Sequence, residues 1–456
     1  MKRKTVAIGM SLIMTAGCLA GCGGGDKNTA GTSDTSSGGS GGKVVNIYCF
    51  NDSTKDLAEE YYIPENRLPE GVTLNWIVVP SADNAYQNAL DEALLKQGEV
   101  SADEKVDMFL AEADYVLKYV NSDATLDVQK DIGLTDEQMS QMYDYTKDIA
   151  TSEDGSLKGV TMQATPGLFV YRRSIAKDVL GTDDPEQVQE YLSDWDKFDE
   201  VAEKVHEKGY KMLSGFDDSY RVFSNNVTKP WVDGTKIQID ENIEKWIKQT
   251  KEYTDKGYNN KTRLWTDGWT ADQGPTGNVF GFFYSTWGIN FTLMNNSLET
   301  AVADGGKAEV GNGIYGDYAV CKGPQEFYWG GTWLCAANGT DNIDEVKDIM
   351  QFFCCEKEPM KQISMDQVEF YNNKEAMEEI ANSDYGSDFL SGQNPYKDFC
   401  KSAENISITT STIYDQGLTE AMQNAMTDYF NGNVDYDTAL ENFYKSAKEK
   451  YPELQE

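Results

Sequence analysis

The chain is 456 residues long, 39% hydrophobic and 12% aromatic, a composition that excludes an intrinsically disordered protein and supplies material for a sizeable core. Its formal net charge of −36, with no basic cluster after Lys4, excludes a nucleic-acid partner, because neutralising phosphates needs a face rich in Lys and Arg. Acidity on this scale reads as solubility and mutual repulsion at a crowded surface.

Lys2, Arg3 and Lys4 precede the apolar run Val6–Met14, and the stretch closes on Leu19-Ala20-Gly21-Cys22. A charged start, a short greasy segment and a small-residue cleavage site predict a secretory signal over 1–21, too short to span a bilayer stably. Leu-Ala-Gly-Cys resembles a bacterial lipobox, whose cysteine is acylated and becomes the first mature residue, so Cys22 is the expected lipidation site. Cys18 lacks the leucine three residues upstream and belongs to the leader. Residues 23–42 contain no large apolar side chain and predict a flexible tether with a reach of roughly 25 Å. The body is therefore expected outside the cell, held to the membrane by its N-terminal lipid alone.

From 43 to 456 the chain is longer than one core usually organises, so two lobes are expected. Val44–Phe50 reads as a buried strand, Val72–Val79 as a second and Val106–Leu110 as a third. Between the latter two, Ala85, Tyr86, Ala89, Leu90, Ala93 and Leu94 mark one helical face that starts after Asp83 and stops at Gly98. This β-α-β order predicts a parallel sheet covered by helices. Ser193 with Asp196 reads as a capping box ahead of Trp195, Phe198, Val201, Ala202 and Val205. Ile343, Val346, Ile349, Met350 and Phe353 form another stripe, and terminal helices are expected over 418–430 and 437–450. Cys49, Cys321 and Cys335 fall in strand-like runs and Cys354-Cys355 ends a helical pattern, so with Cys400 they read as buried small hydrophobes, not as a disulfide framework or a zinc site.

Catalytic constellations are scarce. His206, the one histidine, sits on the polar side of a helical pattern, which removes a Ser-His-Asp triad. No G-x-S-x-G, P-loop, H-E-x-x-H or strand-borne G-x-G-x-x-G occurs, and no cofactor or metal is expected. Asn431–Asp437 lacks the glycine and distal glutamate of a calcium loop and reads as a turn plus an N-cap. The carboxylates leave one enzymatic alternative, a glycoside-acting acid pair. Aromatic residues carry the stronger signal: Trp231, Trp265, Trp269, Trp287, Trp329 and Trp333 are mostly flanked by Gly, Asp, Asn or Thr. Such loop-borne indoles suit stacking against the apolar face of a pyranose, and this context favours Trp231, Trp287 and Trp329. Trp76 and Trp195, in a strand and a helical stripe, read as core.

At this point the chain resembles the lipid-anchored extracellular solute-binding proteins of bacterial ABC importers, family 1, related to maltodextrin-binding protein. The resemblance spans nearly all of the mature chain. It rests on Leu19–Cys22, the opening strand ending in Phe50-Asn51-Asp52, the segment Val106–Leu110, Gly167–Arg172 followed by Ser174-Ile175-Ala176, Ser193–Phe198, Val279–Trp287, Trp329–Trp333 and the closing Tyr436–Leu440. It implies a two-lobed α/β fold of the periplasmic-binding-protein type (type II) with the ligand cleft between lobes. The N-terminal lobe would be 43–164 plus 325–372, the C-terminal lobe 165–324 plus 373–456, with crossings near 163–167, 322–326 and 371–374. Matching positions imply sugar-hydroxyl partners at Asn51, Asp52, Glu112 and Asp114. Asp217, Asp218 and Tyr220 would face them from the other lobe, with Trp287 as a stacking ring and Trp329, Gly330 and Gly331 on the hinge side. Arg172-Arg173 departs from the usual Asn-Lys, and Ala111 stands where relatives place an aromatic. The implied protein is a monomeric, non-enzymatic receptor that hands a carbohydrate, an oligosaccharide first, to ABC permease subunits. A glycoside-acting enzyme and a receptor for a peptide or polyamine are the competing readings.

Overall fold

The computed structural model describes residues 42–408 and 410–456. The expected leader, Cys22 and tether lie outside the described residues. Two sheets organise the fold, one mixed and one antiparallel. The first has the order β2-β1-β3-β10-β4, built from β1 (Val44–Cys49), β2 (Thr73–Val78), β3 (Met108–Glu112), β4 (Val160–Thr161) and β10 (Thr332–Ala336). β1, β2 and β3 run parallel, as the β-α-β pattern predicts, with the helix Ala85–Leu95 between β2 and β3. β10 departs from that pattern by entering antiparallel between β3 and β4. Its position is set by a crossing from elsewhere in the chain, which local periodicity does not report.

The second sheet has the order β8-β5-β9, from β5 (Gly167–Arg172), β8 (Gly281–Ser285) and β9 (Tyr318–Cys321), with β5 antiparallel to both neighbours. Single parallel bridges, Lys211 to Val279 and Gly215 to Thr262, extend it. A separate hairpin pairs β6 (Val232–Asp233) with β7 (Lys236–Ile237). The chain passes between the sheets at 162–166, again at 322–331, and residues 368–373 lie alongside. Bridges of Pro166 to Tyr328 and of Gln163 to Tyr371 tie these connections together.

Helix boundaries follow local chemistry. The helix Trp195–Glu207 is capped by Asp194, whose side chain accepts from the Lys197 N–H, and not by Ser193. Trp195 is half-buried, stacked on Phe223 at 4.2 Å, and Trp76 is also only partly buried. His206 is exposed, and Asp435 caps the last helix, Tyr436–Lys450, as expected of that turn. Cys49, Cys321, Cys335, Cys354, Cys355 and Cys400 form no disulfide, and all but Cys355 are buried.

One apolar core runs through both sheets. A second is assembled by the helix Glu241–Lys256 against Asp415–Phe430 and Tyr436–Lys450, around Trp246, Met422 and Phe443. Among the described residues no helix is long and apolar enough to cross a membrane.

Candidate ligand-binding site

In parallel-sheet architectures ligands collect beyond the C-terminal strand ends. Here the C-terminal ends of β1 and β3 lie on one side of the crossing segments, and the C-terminal end of β8, paired with the N-terminal end of β5, lies on the other. Asn51 and Asp52 follow β1, Glu112 closes β3 with Asp114 beyond it, and Gly330-Gly331 lead into β10 beside them, where the Gly331 carbonyl accepts from the Ala113 N–H. Opposite, Trp287 follows β8, and the bridged segments around Gly215 and Thr262 lead into Asp217-Asp218 and Trp265.

The aromatic side of the site is a contiguous cluster. Trp287 donates its Nε1–H to the Trp329 carbonyl at 2.8 Å, and the two rings meet edge-on at 5.0 Å. Trp329 stacks on Tyr284 at 5.7 Å and 9°. Trp265 completes the set: its ring is 6.0 Å from Trp287 at 20° and 6.3 Å from Trp329. It is 62% exposed, with a backbone φ of +67°. Bulky residues rarely hold the left-handed region, and strain of this kind collects at functional sites. Gly330 is required where it stands: at φ +76° it is left-handed, and a Cβ there would lie 3.0 Å from Trp287 Nε1 and 3.6 Å from a Glu112 carboxyl oxygen. Thr165 donates to the Gly330 carbonyl at 2.9 Å and fixes the turn.

The polar side adjoins the rings through Glu112. One Glu112 oxygen accepts the Asp114 N–H at 2.7 Å. Burial, then the Asp114 charge, pushes the Glu112 carboxyl up to about 8. Asp114 receives a bidentate pair from Arg221, 2.7 Å on each arm. Asp415 accepts from the hydroxyl and N–H of Thr412 and is pushed up to about 7, chiefly by burial. Asp114 is thus a matched charge beside an acid whose burial favours its protonated form.

The other expected site residues divide. Asn51 and Asp52 are exposed at the same sheet edge and keep local contacts, to the Ser53 N–H and to Lys55. Asp217 is buried and accepts from Arg263 Nε at 2.6 Å and from the Leu264 N–H at 3.2 Å, which pins the loop carrying Trp265. Asp218 is buried under Trp269, accepting from its Nε1–H at 3.3 Å and from the Gly215 N–H. Tyr220 lies in the second core, edge-on to Trp246 at 4.9 Å, with its hydroxyl on Thr419. Trp231 packs on Phe443 at 5.9 Å, beside the β6–β7 hairpin and away from the ring cluster. These two placements differ from the expectation of cleft-facing rings: the C-terminal helices that cover them are about two hundred residues away in sequence. Arg172 and Arg173 are occupied by Asp317 and by backbone carbonyls. Trp265 and Arg221 join the site without having been expected there, although Trp265 stands in the aromatic loop Leu264–Trp269. Among the described residues no group of three or more His, Cys, Asp or Glu side chains could hold a metal ion.

Facing sheet edges, crossing segments between them and a ring cluster beside paired charges describe a solute-binding protein. Residues 69–385 match the family of bacterial extracellular solute-binding proteins, and the chain belongs to that family. A comparison with curated proteins gives no match. Among solved structures, the chain is similar to an extracellular solute-binding protein of family 1, with 16% identity over 89% of this chain and 99% of that one and a TM-score of 0.71. It is similar also to an ABC transporter associated binding protein from B. animalis subsp. lactis Bl-04 in complex with beta-1,6-galactobiose, at 16% identity, 91% and 100% coverage and a TM-score of 0.63. A third is the galacto-N-biose-/lacto-N-biose I-binding protein of the ABC transporter from Bifidobacterium longum in complex with lacto-N-biose, at 13% identity, 90% and 97% coverage and a TM-score of 0.63.

Proposed function

We propose that this protein is an exported receptor that binds a carbohydrate between its two sheets and delivers it to an ABC permease, without chemical change to the ligand. The observation that carries this reading is the Trp265–Trp287–Trp329 cluster: a largely exposed indole held in a strained conformation over a second ring, with hydrogen-bonding groups alongside. Indoles bind the apolar faces of pyranoses at low conformational cost, while the hydroxyl edges need polar partners. Asn51, Asp52 and Glu112 on the first sheet edge are the proposed partners, with the Asp114–Arg221 pair presenting both donors and acceptors.

The charge balance favours a neutral sugar over a polyamine. A polyamine site needs unmatched carboxylates, yet Asp114 is neutralised by Arg221 and Glu112 is shifted toward its protonated form. Solved relatives that hold beta-1,6-galactobiose and lacto-N-biose give further support for a short oligosaccharide. The proposed lobes are 43–164 plus 325–372 and 165–324 plus 373–456, and membrane attachment through Cys22 completes the reading. Isothermal titration with neutral di- and trisaccharides tests it: saturable heats with the sugar recovered unchanged support a receptor, whereas cleavage of the sugar would favour the glycoside-acting alternative.

A further inference from the structure

Trp265 keeps its backbone φ of +67° while carrying an indole, and Lys261, four residues earlier, holds +61°. Residues other than glycine stay in this region only where their surroundings over-determine them. Upstream, Thr262 is bridged to Gly215 so closely that a Cβ on Gly215 would lie 2.0 Å from the Thr262 carbonyl oxygen. Arg263 then reaches in two directions. Its Nε donates to Asp217 at 2.6 Å, and its Nη1 donates at 2.6 Å to the hydroxyl of Thr427, in the helix Asp415–Phe430. The same Asp217 oxygen accepts the Leu264 N–H at 3.2 Å. Downstream, the Thr266 hydroxyl donates to the Arg263 carbonyl at 2.8 Å and accepts the Trp269 N–H as cap of the helix Asp267–Asp272. Trp265 is thus held from both sides by contacts that its own side chain does not make.

We infer that Arg263 and Asp217 are positioning residues of the ligand site: together they hold Trp265 in its strained turn and set its ring against Trp287, and Asp217 itself does not touch the sugar. This rests on the carbohydrate reading above. Asp217 is 5% exposed, and both hydrogen bonds to its carboxylate go to one oxygen. The other oxygen is enclosed and has no partner among the described residues, so no sugar hydroxyl reaches it. Burial pushes the carboxyl up, and the Arg263 guanidinium draws it back down. Among the described residues Arg263 is its only ion-pair partner, and a buried carboxylate deprived of its counter-ion is strongly unfavourable, so the two act as a unit. The planar guanidinium fork fixes the directions to Asp217 and Thr427 together, which a lysine ammonium does not do.

Two readouts test this, the first without sugar. Stacked indoles couple their electronic transitions, and the difference in circular dichroism between wild type and Trp265→Ala defines the signal of the Trp265 ring. Asp217→Asn combined with Arg263→Gln removes both charges together, so the protein should fold and lose most of that signal. Arg263→Lys, which keeps the charge beside Asp217, should retain an intermediate share. A folded double variant with the full signal overturns the proposal. So does a double variant that cannot fold, since the pair would then serve the core and not Trp265. The second readout is calorimetric titration with neutral di- and trisaccharides. The double variant should bind about tenfold more weakly than wild type, yet show no further loss when Trp265 is already alanine. An equal loss in the Trp265→Ala background would mean that Asp217 or Arg263 meets the sugar directly, and would overturn the positioning role. If no saccharide binds at all, the carbohydrate reading fails, while the dichroism still decides whether this pair places Trp265.

Discussion

The Trp265 ring lies over that of Trp287 with 6.0 Å between centroids and 20° between planes, although Trp265 keeps 62% of its surface exposed. An apolar ring so exposed gains little for the core, and its φ of +67° costs about 1–3 kcal/mol of local strain. The arrangement makes sense if a ligand ring supplies the missing contact.

Trp287→Ala and Trp265→Ala should each weaken sugar binding by about tenfold, the worth of one stacked aromatic contact. Calorimetric titration reads the loss. Melting curves should separate the two variants, because Trp287 also packs on Trp329 and donates to its carbonyl, so its removal should lower Tm while Trp265→Ala should not.

Trp265→Gly separates stability from function. Glycine accepts a positive φ freely, so relief of strain offsets the modest packing that the exposed ring provides, and urea denaturation should give a stability within about 1 kcal/mol of wild type. Sugar affinity should fall as in Trp265→Ala. A variant as stable as its parent and poorer at binding identifies Trp265 as a residue kept for the ligand.

Gly330→Ala should damage the site from behind. The added Cβ would sit 3.0 Å from Trp287 Nε1 at a φ of +76°, so the indole must shift and its hydrogen bond to the Trp329 carbonyl must lengthen. Affinity should drop severalfold, and the indole fluorescence of the unliganded protein should change even though no tryptophan has been removed.

Glu369 sets a pH dependence. It is buried between the Thr286 hydroxyl and the Phe370 N–H, with Thr286 directly before Trp287, and burial raises its carboxyl from 4.5 to about 7. With the folded-state value above the unfolded one, the folded protein binds the extra proton. The stability this group allows is full below 4.5 and is lost as pH rises through about 7. Asp218 and Asp415, also raised to about 7 by burial, act in the same direction. Urea denaturation at about pH 5 and about pH 8 should show wild type losing more stability than Glu369→Gln, by on the order of 2–3 kcal/mol. An equal loss in both would remove Glu369 from this role.

Where the sequence was legible, local chemistry decided the outcome. The apolar run in Val44–Cys49, the helical stripe of Trp195–Glu207 and the cap at Asp435 each depend on residues within one or two turns, and all three elements formed. Glu112, expected only from the family resemblance, and Trp287 and Trp329, marked by their loop flanks, come together in the structure around Gly330. Tyr220 and Trp231 were misread because the helices that bury them return from the far end of the chain. Arg221 was invisible for a related reason: its partner, Asp114, is reached only across the two sheets. The value of Trp265 lies in its backbone angle and exposure, which no residue pattern encodes.

Carbohydrate capture by the ring cluster stands or falls on one titration: wild type and Trp265→Ala measured side by side against neutral oligosaccharides, spermidine and short peptides. The expected outcome is saturable binding of an oligosaccharide alone, weakened about tenfold in the variant. Binding of spermidine or a peptide with none to any sugar, or a sugar affinity unchanged by Trp265→Ala, would rule out capture by these rings.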